Sequence, residues 1–196
     1  MSIKNNPSVR NRGYIGEGLY PCYIENKPSK QYNAWSKIIN RCYSEKVHLR
    51  QPKYTDCVVD PRWLDFQIFA KWFDENYIEG YALDKDILVK GNKVYGPDTC
   101  CFVPSSINNL FTKREKDRGE LPIGVMLRKD SGKLRSQFHK NGKTVNIGQF
   151  NTIDEAFNAY KIAKEIHIKE LAEIWKDKIS NKTYHAMIKY EVDIED

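Results

Sequence analysis

One short stretch of the chain carries arginine, lysine, glutamine, histidine and asparagine side chains at spacings that suit contact with nucleic acid. It covers residues 124–150, and polar side chains alternate with mostly apolar ones between Lys133 and His139. Arginine can bind guanine through two hydrogen bonds, and glutamine or asparagine can bind adenine in the same way. Lysine and arginine also neutralise phosphates. The residues expected to share one face are Arg128, Lys133, Arg135, Gln137, His139 and Asn146.

The alternation predicts that this stretch forms a three-stranded sheet with one apolar face. The sequence DSG at residues 130–132 predicts the first turn, and NG at residues 141–142 predicts the second. No acidic residue of these strands is expected on the polar face. A cationic surface is therefore favoured over a mixed, solvated exterior, which stays the alternative. The apolar face is expected to carry Val125, Leu127, Leu134, Phe138, Val145 and Ile147.

An amphipathic helix follows the sheet directly and can cover its apolar face. Thr152 and Glu155 are three residues apart, which predicts a capping box at the start of this helix. We therefore expect a sheet packed on one helix. The apolar residues that recur at helical spacing are Ile153, Phe157, Tyr160, Ile168, Leu171 and Trp175.

The positive charge of the chain is concentrated around the same stretch. The net charge is +6 at pH 7, and residues 113–149 hold ten basic and four acidic residues, which is an excess of six. A local excess of positive charge favours a polyanionic partner more strongly than an excess spread over the whole chain would.

The pattern of this stretch resembles an AP2/ERF-type DNA-binding domain, a family that includes AP2-like modules of phage integrases and homing endonucleases. The resemblance covers about residues 121–180. In that family the sheet enters the major groove of DNA, which implies DNA contact for Arg128, Lys133, Arg135 and Lys143. Gln137 and His139 join this set by their alternation alone. The matching residues are Gly124, Val125, Arg128, Gly132, Lys133, Arg135, Phe138, Gly142, Lys143, Ile147, Gly148, Phe150, Thr152, Glu155, Ala156, Ala159 and Tyr160.

The N-terminal half of the chain predicts helices. Residues 1–28 are rich in Asn, Gly, Pro and charge, and predict an irregular arm. A helix is expected after Ser29, and a second one is expected to start at Asp60 and Pro61. Its aromatic stripe is assigned to a core. The stripe contains Trp63, Phe66, Phe69, Ala70 and Phe73, and the apolar residues of the first helix are Tyr32, Trp35, Ile38, Ile39, Cys42 and Tyr43.

Two apolar runs follow, at residues 83–89 and 100–103, on either side of a loop rich in Gly, Asn and Pro. A helix opened by Pro104 comes next, so the predicted order is strand, loop, strand, helix. This region resembles the ββα-metal site of HNH nucleases in phage proteins that also carry an AP2-like tail. In such enzymes a base activates water while a metal ion stabilises charge on the phosphate. The resemblance implies catalytic roles for Asp84, Lys85 and Asn108.

The metal predicted for this site is Mg²⁺ or Mn²⁺ if the site is active, held by Asp84, Asp86 and Asn108, because hard oxygen ligands suit magnesium. Lys85 departs from the family, since it stands where the HNH motif has a histidine base. A lysine with its usual pKa near 10.4 is protonated at neutral pH and cannot accept a proton. The site is thus expected to be either an active nuclease centre or the charged strand end of an inactive fold.

These observations predict an α+β chain: a helical and HNH-like ββα region followed by an AP2-like three-stranded antiparallel sheet packed on one helix. The function expected is that of a duplex-DNA-binding protein, a phage-type HNH-like endonuclease that uses a divalent metal to hydrolyse phosphodiesters. The alternative is an inactive DNA-binding module, a regulator or an anti-defence protein, with a degenerate HNH fold. A binder of single-stranded RNA is less favoured because the basic face has few aromatic side chains. The predicted divisions are an arm at 1–28, an HNH-like domain at 29–111, a basic linker at 112–122, an AP2-like domain at 123–180 and a tail at 181–196.

The sequence also bounds the setting of the protein. No apolar run is long enough to cross a bilayer, and the first residues lack a signal-peptide core. An intracellular protein is expected, in host cytoplasm if phage-encoded, with no membrane partner. Five cysteines without a CxxC pair argue against a disulfide framework and against a structural zinc site.

Overall fold

The computed structural model describes residues 9–111, 120–140 and 142–195. It has the mixed α+β composition that the sequence predicts, including a three-stranded antiparallel sheet. The chain divides into two compact units, Met1–Val103 and Pro104–Asp196, and each is described by itself. Asn141 of the predicted second turn and residues 112–119 of the predicted linker lie outside the described residues.

The first unit is built from short strands around three helices, and short 3₁₀ turns join several of them. In chain order the elements are β1 (Tyr23–Ile24), β2 (Lys27–Pro28), α1 (Lys30–Tyr43), α2 (Glu45–Arg50), β3 (Val58–Val59), α3 (Phe66–Asn76), β4 (Tyr81–Asp84), β5 (Val94–Tyr95) and β6 (Cys101–Pro104). β1 pairs with β2 antiparallel, β3 pairs with β5 parallel, and β4 pairs with β6.

Helix α1 begins where the sequence predicts, because Ser29 caps it. The Ser29 hydroxyl accepts a hydrogen bond from the Tyr32 backbone N–H at 3.2 Å, which satisfies one of the free donors of the first turn. The apolar stripe of α1 packs on that of α3 to form one aromatic core. The aromatic stripe assigned to a core is confirmed: Trp63, Phe66, Phe69, Ala70 and Phe73 are all buried.

The second predicted helix is interrupted. Asp60 and Pro61 start a 3₁₀ turn that ends at Leu64, and Asp60 caps it by accepting from the Arg62 N–H at 2.9 Å. Asp65 then adopts an extended conformation and caps α3 by accepting from the Gln67 N–H at 2.8 Å. The helix therefore begins five residues later than predicted, because a second aspartate offers a new N-cap.

The N-terminal arm is attached to this break between the 3₁₀ turn and α3. Tyr14 donates its N–H to the Leu64 carbonyl at 2.9 Å and accepts from the Phe66 N–H at 3.0 Å. The Gln67 side chain exchanges two hydrogen bonds with the Tyr20 backbone. Residues 9–22 contain no named helix or strand, but the short hairpin of β1 and β2 follows them, so the arm is less irregular than predicted. Hydrogen bonds hold it to the helical core.

The second unit contains the sheet. Its elements are α4 (Ser105–Asn108), β7 (Val125–Leu127), β8 (Leu134–Lys140), β9 (Lys143–Phe150), α5 (Ile153–Trp175) and α6 (Asn181–Ile188). The strand order is β7-β8-β9, with both pairs antiparallel. Thr152 and Glu155 form the predicted capping box at the start of α5.

Helix α5 packs on one face of the sheet. Val125 and Leu134 are buried in a common cluster with Ala156, Phe157 and Tyr160 of α5. At the centre of the sheet, the helix therefore covers the face that was predicted to be apolar. The predicted stripe of α5 is displaced in part: Ile153 is exposed, and His167 is buried with its ring centroid 5.6 Å from that of Phe138. Burial lowers the pKa of His167.

Two residues of the predicted apolar face are exposed. Leu127, the last residue of the edge strand β7, is 56% exposed, and Val145 of β9 is 36% exposed. Phe138 and Ile147 are partly buried against the cluster. The helix therefore covers the middle of the sheet and leaves parts of both edge strands open.

The C-terminal segment, predicted as a tail at 181–196, contains a helix and one buried residue beyond it. It forms α6, which packs on α5, and Val192 beyond it is buried in the sheet–helix cluster. The Lys161 ammonium donates to the Val192 carbonyl at 2.6 Å, and the Val192 N–H donates to Glu165 at 2.8 Å. Val192 thus joins the apolar cluster although acidic residues stand on both sides of it in the sequence.

No described helix is both long enough and apolar enough to span a membrane. All five cysteines are free thiols, and four of them are buried. Burial raises the pKa of Cys42 to about 12, as expected for small apolar residues of a core.

Gly124 allows the buried ring of Tyr160 to lie against the start of β7. Its φ is +79°, and a Cβ built there would lie 2.0 Å from the Tyr160 ring. Gly132 also has a positive φ, of +65°, but a Cβ there would meet nothing within 4 Å. Comparing substitutions at Gly124 and Gly132 therefore separates the free-energy cost of the backbone conformation from that of overpacking.

We predict that Gly124→Ala destabilises the second unit more than Gly132→Ala does. The left-handed conformation costs an alanine about 1–2 kcal/mol in both variants, and overpacking adds about 1–3 kcal/mol at Gly124 alone. Hydrogen exchange of the β8 amides measures the stability of this unit by itself. Equal losses in the two variants would contradict the packing of Tyr160 on Gly124.

Candidate functional site

The face of the sheet opposite α5, here called the outer face, displays a row of polar side chains from β8. Leu134 and Ser136 are buried, so the residues between and beyond them point away from the helix. These are Arg135, Gln137 and His139. The register adds one residue from each neighbouring strand, with Met126 and Gln149 on either side of Arg135.

Arg135 is the central cation of the outer face. Its Nε is shielded from solvent and has no hydrogen-bond partner within the described residues. Its side chain forms no ion pair within those residues either. A shielded donor without a partner costs free energy, whereas the Arg135 residue as a whole is only partly buried.

Two amides lie opposite each other next to Arg135. Gln137 of β8 pairs with Asn146 of β9, and the next pair on the same face is His139 with Thr144. The Thr144 hydroxyl lies 3.2 Å from His139 Nδ1. Each amide offers a donor and an acceptor side by side, which is the arrangement that binds adenine.

Arg128 and Lys133 extend the outer face beyond the end of β7. The Arg128 N–H donates to the Lys133 carbonyl at 2.9 Å, so the two residues are opposite each other and one step past the Leu127–Leu134 pair. Lys133 is exposed. Alternation extended from the Leu127–Leu134 pair puts Arg128 and Lys133 on the same face as Arg135.

Arg128 has an acidic partner that the sequence prediction missed. Its guanidinium forms an ion pair with Asp130 of the turn, with Nε donating to Oδ1 at 2.9 Å. This pairing raises the pKa of Arg128 and lowers the pKa of Asp130. An aspartate two residues after an arginine in a predicted turn is the signal that could have indicated the contact.

Lys143 is placed differently from the other predicted DNA contacts. It lies opposite Lys140 in the register, and the Lys140 ammonium forms an ion pair with Glu170 of α5 at 2.8 Å. Lys143 is therefore on the helix side of the sheet, at the hairpin end. The contact with DNA implied for it by resemblance remains a prediction, and the register does not place it beside Arg135.

The β8–β9 register contains a bulge that brings Gln149 to the outer face. Ser136 pairs with Gly148, and Gln137 pairs with Asn146, so Ile147 has no partner of its own. Simple alternation from Asn146 would turn Gln149 toward the helix. A glycine within a strand is a signal for such a bulge, and Gly148 is its sequence mark.

The predicted nuclease residues of the first unit lie in a compact loop after β4. Asp84, the last residue of β4, accepts hydrogen bonds from the Asp86 and Ile87 backbone N–H groups at 2.7 and 2.8 Å through the same oxygen. Burial raises the pKa of Asp84 against the opposing effect of these two bonds. Its carboxylate thus caps a turn of its own backbone.

Lys85 is buried and fully engaged by this loop. Its ammonium donates to Asp86 Oδ1 at 2.6 Å and to the Asn92 carbonyl at 2.7 Å, and it lies 5.9 Å from the centroid of the Tyr95 ring. Asn92 returns a hydrogen bond from its side chain to the Lys85 carbonyl at 2.8 Å. These contacts describe a cation that holds a loop together, because each fixes the position of the ammonium.

The remaining member of the predicted metal set, Asn108, is the last residue of α4 and belongs to the second unit. Within the described ranges no group of three or more His, Cys, Asp or Glu side chains could hold a metal ion. Magnesium or manganese bound by Asp84, Asp86 and Asn108 remains a prediction.

Comparison with protein-family models, with curated proteins and with solved structures found no significant match to this chain.

We predict that Lys85→Ala destabilises the first unit by about 2 kcal/mol, because hydrogen bonds to charged groups contribute about 1.5–3 kcal/mol. Lys93→Ala, an exposed lysine nearby, is the control and should change stability by less than about 0.5 kcal/mol. Urea unfolding followed by tryptophan fluorescence measures both, since three of the four tryptophans lie in this unit. A Lys85 variant as stable as the wild type would contradict the structural role.

Proposed function

We propose that the protein binds duplex DNA through the outer face of the β7-β8-β9 sheet. The observation that carries the proposal is the row formed by Arg135, Gln137 and His139 on a face to which the strands contribute no acidic side chain. Arg135 is only partly buried, and its guanidinium forms no ion pair within the described residues. The proposal agrees with the positive charge concentrated in this part of the sequence.

The dimensions of the sheet suit the major groove. Three strands spaced about 4.8 Å apart are about 10 Å wide, and the major groove is about 12 Å wide. The seven residues of β8 extend over about 23 Å at about 3.3 Å per residue. Side chains from the centre of the sheet would then reach base edges while those at its margin meet phosphates.

The proposed contacts divide by chemistry. Arg135 would bind guanine, and the opposed amides of Gln137 and Asn146 would bind adenine. Lys133 is exposed at the end of the sheet and would bind a phosphate as a point charge. The outer face offers only the His139 ring for base stacking, which favours a duplex over a single strand.

A second candidate function is DNA cleavage by an HNH-like centre in the first unit. The observation that favours it is the order of the elements, since β4 ends at Asp84, pairs with β6, and β6 leads directly into α4. The contacts of the loop favour a structural role instead, because Lys85 is held as a cation by Asp86 and the Asn92 carbonyl. We therefore propose DNA binding without hydrolysis by this loop.

We predict that Arg135→Ala weakens binding to duplex DNA by about tenfold, since a good bidentate contact contributes about 1–3 kcal/mol. Lys169→Ala removes the same charge from the exposed surface of α5 and is the matched control. Fluorescence anisotropy with a labelled duplex over a range of salt concentrations measures the affinity of both variants. Equal weakening by the two would attribute binding to net charge alone and contradict the outer face as the site.

We predict that supercoiled plasmid stays intact when incubated with the protein and Mg²⁺ or Mn²⁺. Gel electrophoresis detects nicked and linear forms. The control is Asp84→Asn, which removes the charge but keeps an oxygen for the two backbone N–H groups. Metal-dependent cleavage by the wild type that this variant loses would contradict the proposal and establish the second candidate.

A further inference from the structure

Asp130 holds one edge of the Arg128 guanidinium at the turn between β7 and β8. Arg128 Nε donates to Asp130 Oδ1 at 2.9 Å, and Nη2 donates to Asp130 Oδ2. Both donors lie on the same side of the planar group. Arginine has five N–H groups, so three of them have no partner among the residues that the structure describes.

The free N–H groups of Arg128 include one on each terminal nitrogen, and these two are parallel. A parallel pair of this kind matches O6 and N7 of guanine at the major-groove edge. Because Arg128 is opposite Lys133 in the register, its side chain leaves the sheet on the same face as Arg135. Asp130 therefore occupies the edge that guanine does not need.

We propose that Asp130 is a positioning residue that holds Arg128 for specific contact with guanine in duplex DNA. The inference rests on the proposed function and adds a source of sequence specificity to it. A long side chain that is already ordered loses less conformational freedom on binding. An exposed ion pair contributes little to the stability of a fold, so the contact has its main consequence in recognition.

Electrostatic repulsion alone predicts a different effect of removing the Asp130 carboxylate. Its carboxylate repels the DNA phosphates, and its removal would strengthen binding to every sequence. Positioning predicts instead that its removal weakens discrimination between bases. A loss of specificity therefore separates the two accounts, because electrostatics alone would leave the preference between bases unchanged.

The test compares wild type, Asp130→Asn and Asp177→Asn in selection from a pool of duplexes with a randomised core. Asp177→Asn raises the net charge equally, in the turn after α5, and is the matched control. We expect Asp130→Asn to keep salt-dependent binding to the unselected pool and to lose about tenfold of the preference for guanine at one position. The control should keep that preference.

A double-mutant cycle identifies the residue through which Asp130 acts. On an Arg128→Ala background, Asp130→Asn should cause no further loss of guanine preference, whereas a general effect on the turn would persist. Unchanged preference in the single variant, or tighter binding to the selected site, would overturn the inference and leave DNA binding standing. A wild-type protein that binds the pool without any base preference would also overturn the inference and leave DNA binding standing. A wild-type protein that binds no duplex would overturn both the inference and the proposed function.

Discussion

The burial of Leu134 and Ser136 against α5 is the constraint on which the outer face depends. Side chains of a strand alternate between its two faces, so fixing these two residues inside forces Arg135, Gln137 and His139 outside. Ser136 has no exposed surface, and a slip of one residue would bury either the Arg135 guanidinium or the Gln137 amide in its place. The high cost of burying an unpaired charge makes this register strongly specified.

The bulge at Ile147 determines which side chains of β9 lie on the outer face. Without it, Ile147 would be opposite Gln137 on the outer face and Asn146 would point toward the helix. With it, Asn146 stands beside Gln137, and Gln149 stands beside Arg135. A single extra residue in one strand thus aligns two amides that chain alternation by itself could not place together.

Much of the central strand and the starts of helices α1 and α5 could be predicted from the sequence, because their signals are local. Alternation in β8, the capping box of Thr152 and Glu155, and the helix after Ser29 each depend on neighbouring residues alone. The features that were not predicted depend on contacts distant in sequence or on irregular backbone. Val192 is buried only because it meets a core formed far earlier in the chain, and the bulge changes the phase of β9 partway along it.

The loop after β4 shows the same limit for the candidate nuclease site. The sequence places Asp84, Lys85 and Asp86 together, but it does not show that the Asn92 carbonyl and Asp86 hold the lysine ammonium. The sequence alone does not distinguish a charged residue at a catalytic position from one that holds a loop. Only the hydrogen bonds around it separate the two roles.

Nuclear magnetic resonance of the isotope-labelled protein, titrated with a short mixed-sequence DNA duplex, tests the central claim most directly. The account predicts large shifts of the Arg135 Nε–H signal and of the Gln137 and Asn146 side-chain amides, with little change along the exposed side of α5. Unchanged outer-face signals, together with shifts confined to α5 or to the first unit, would contradict it.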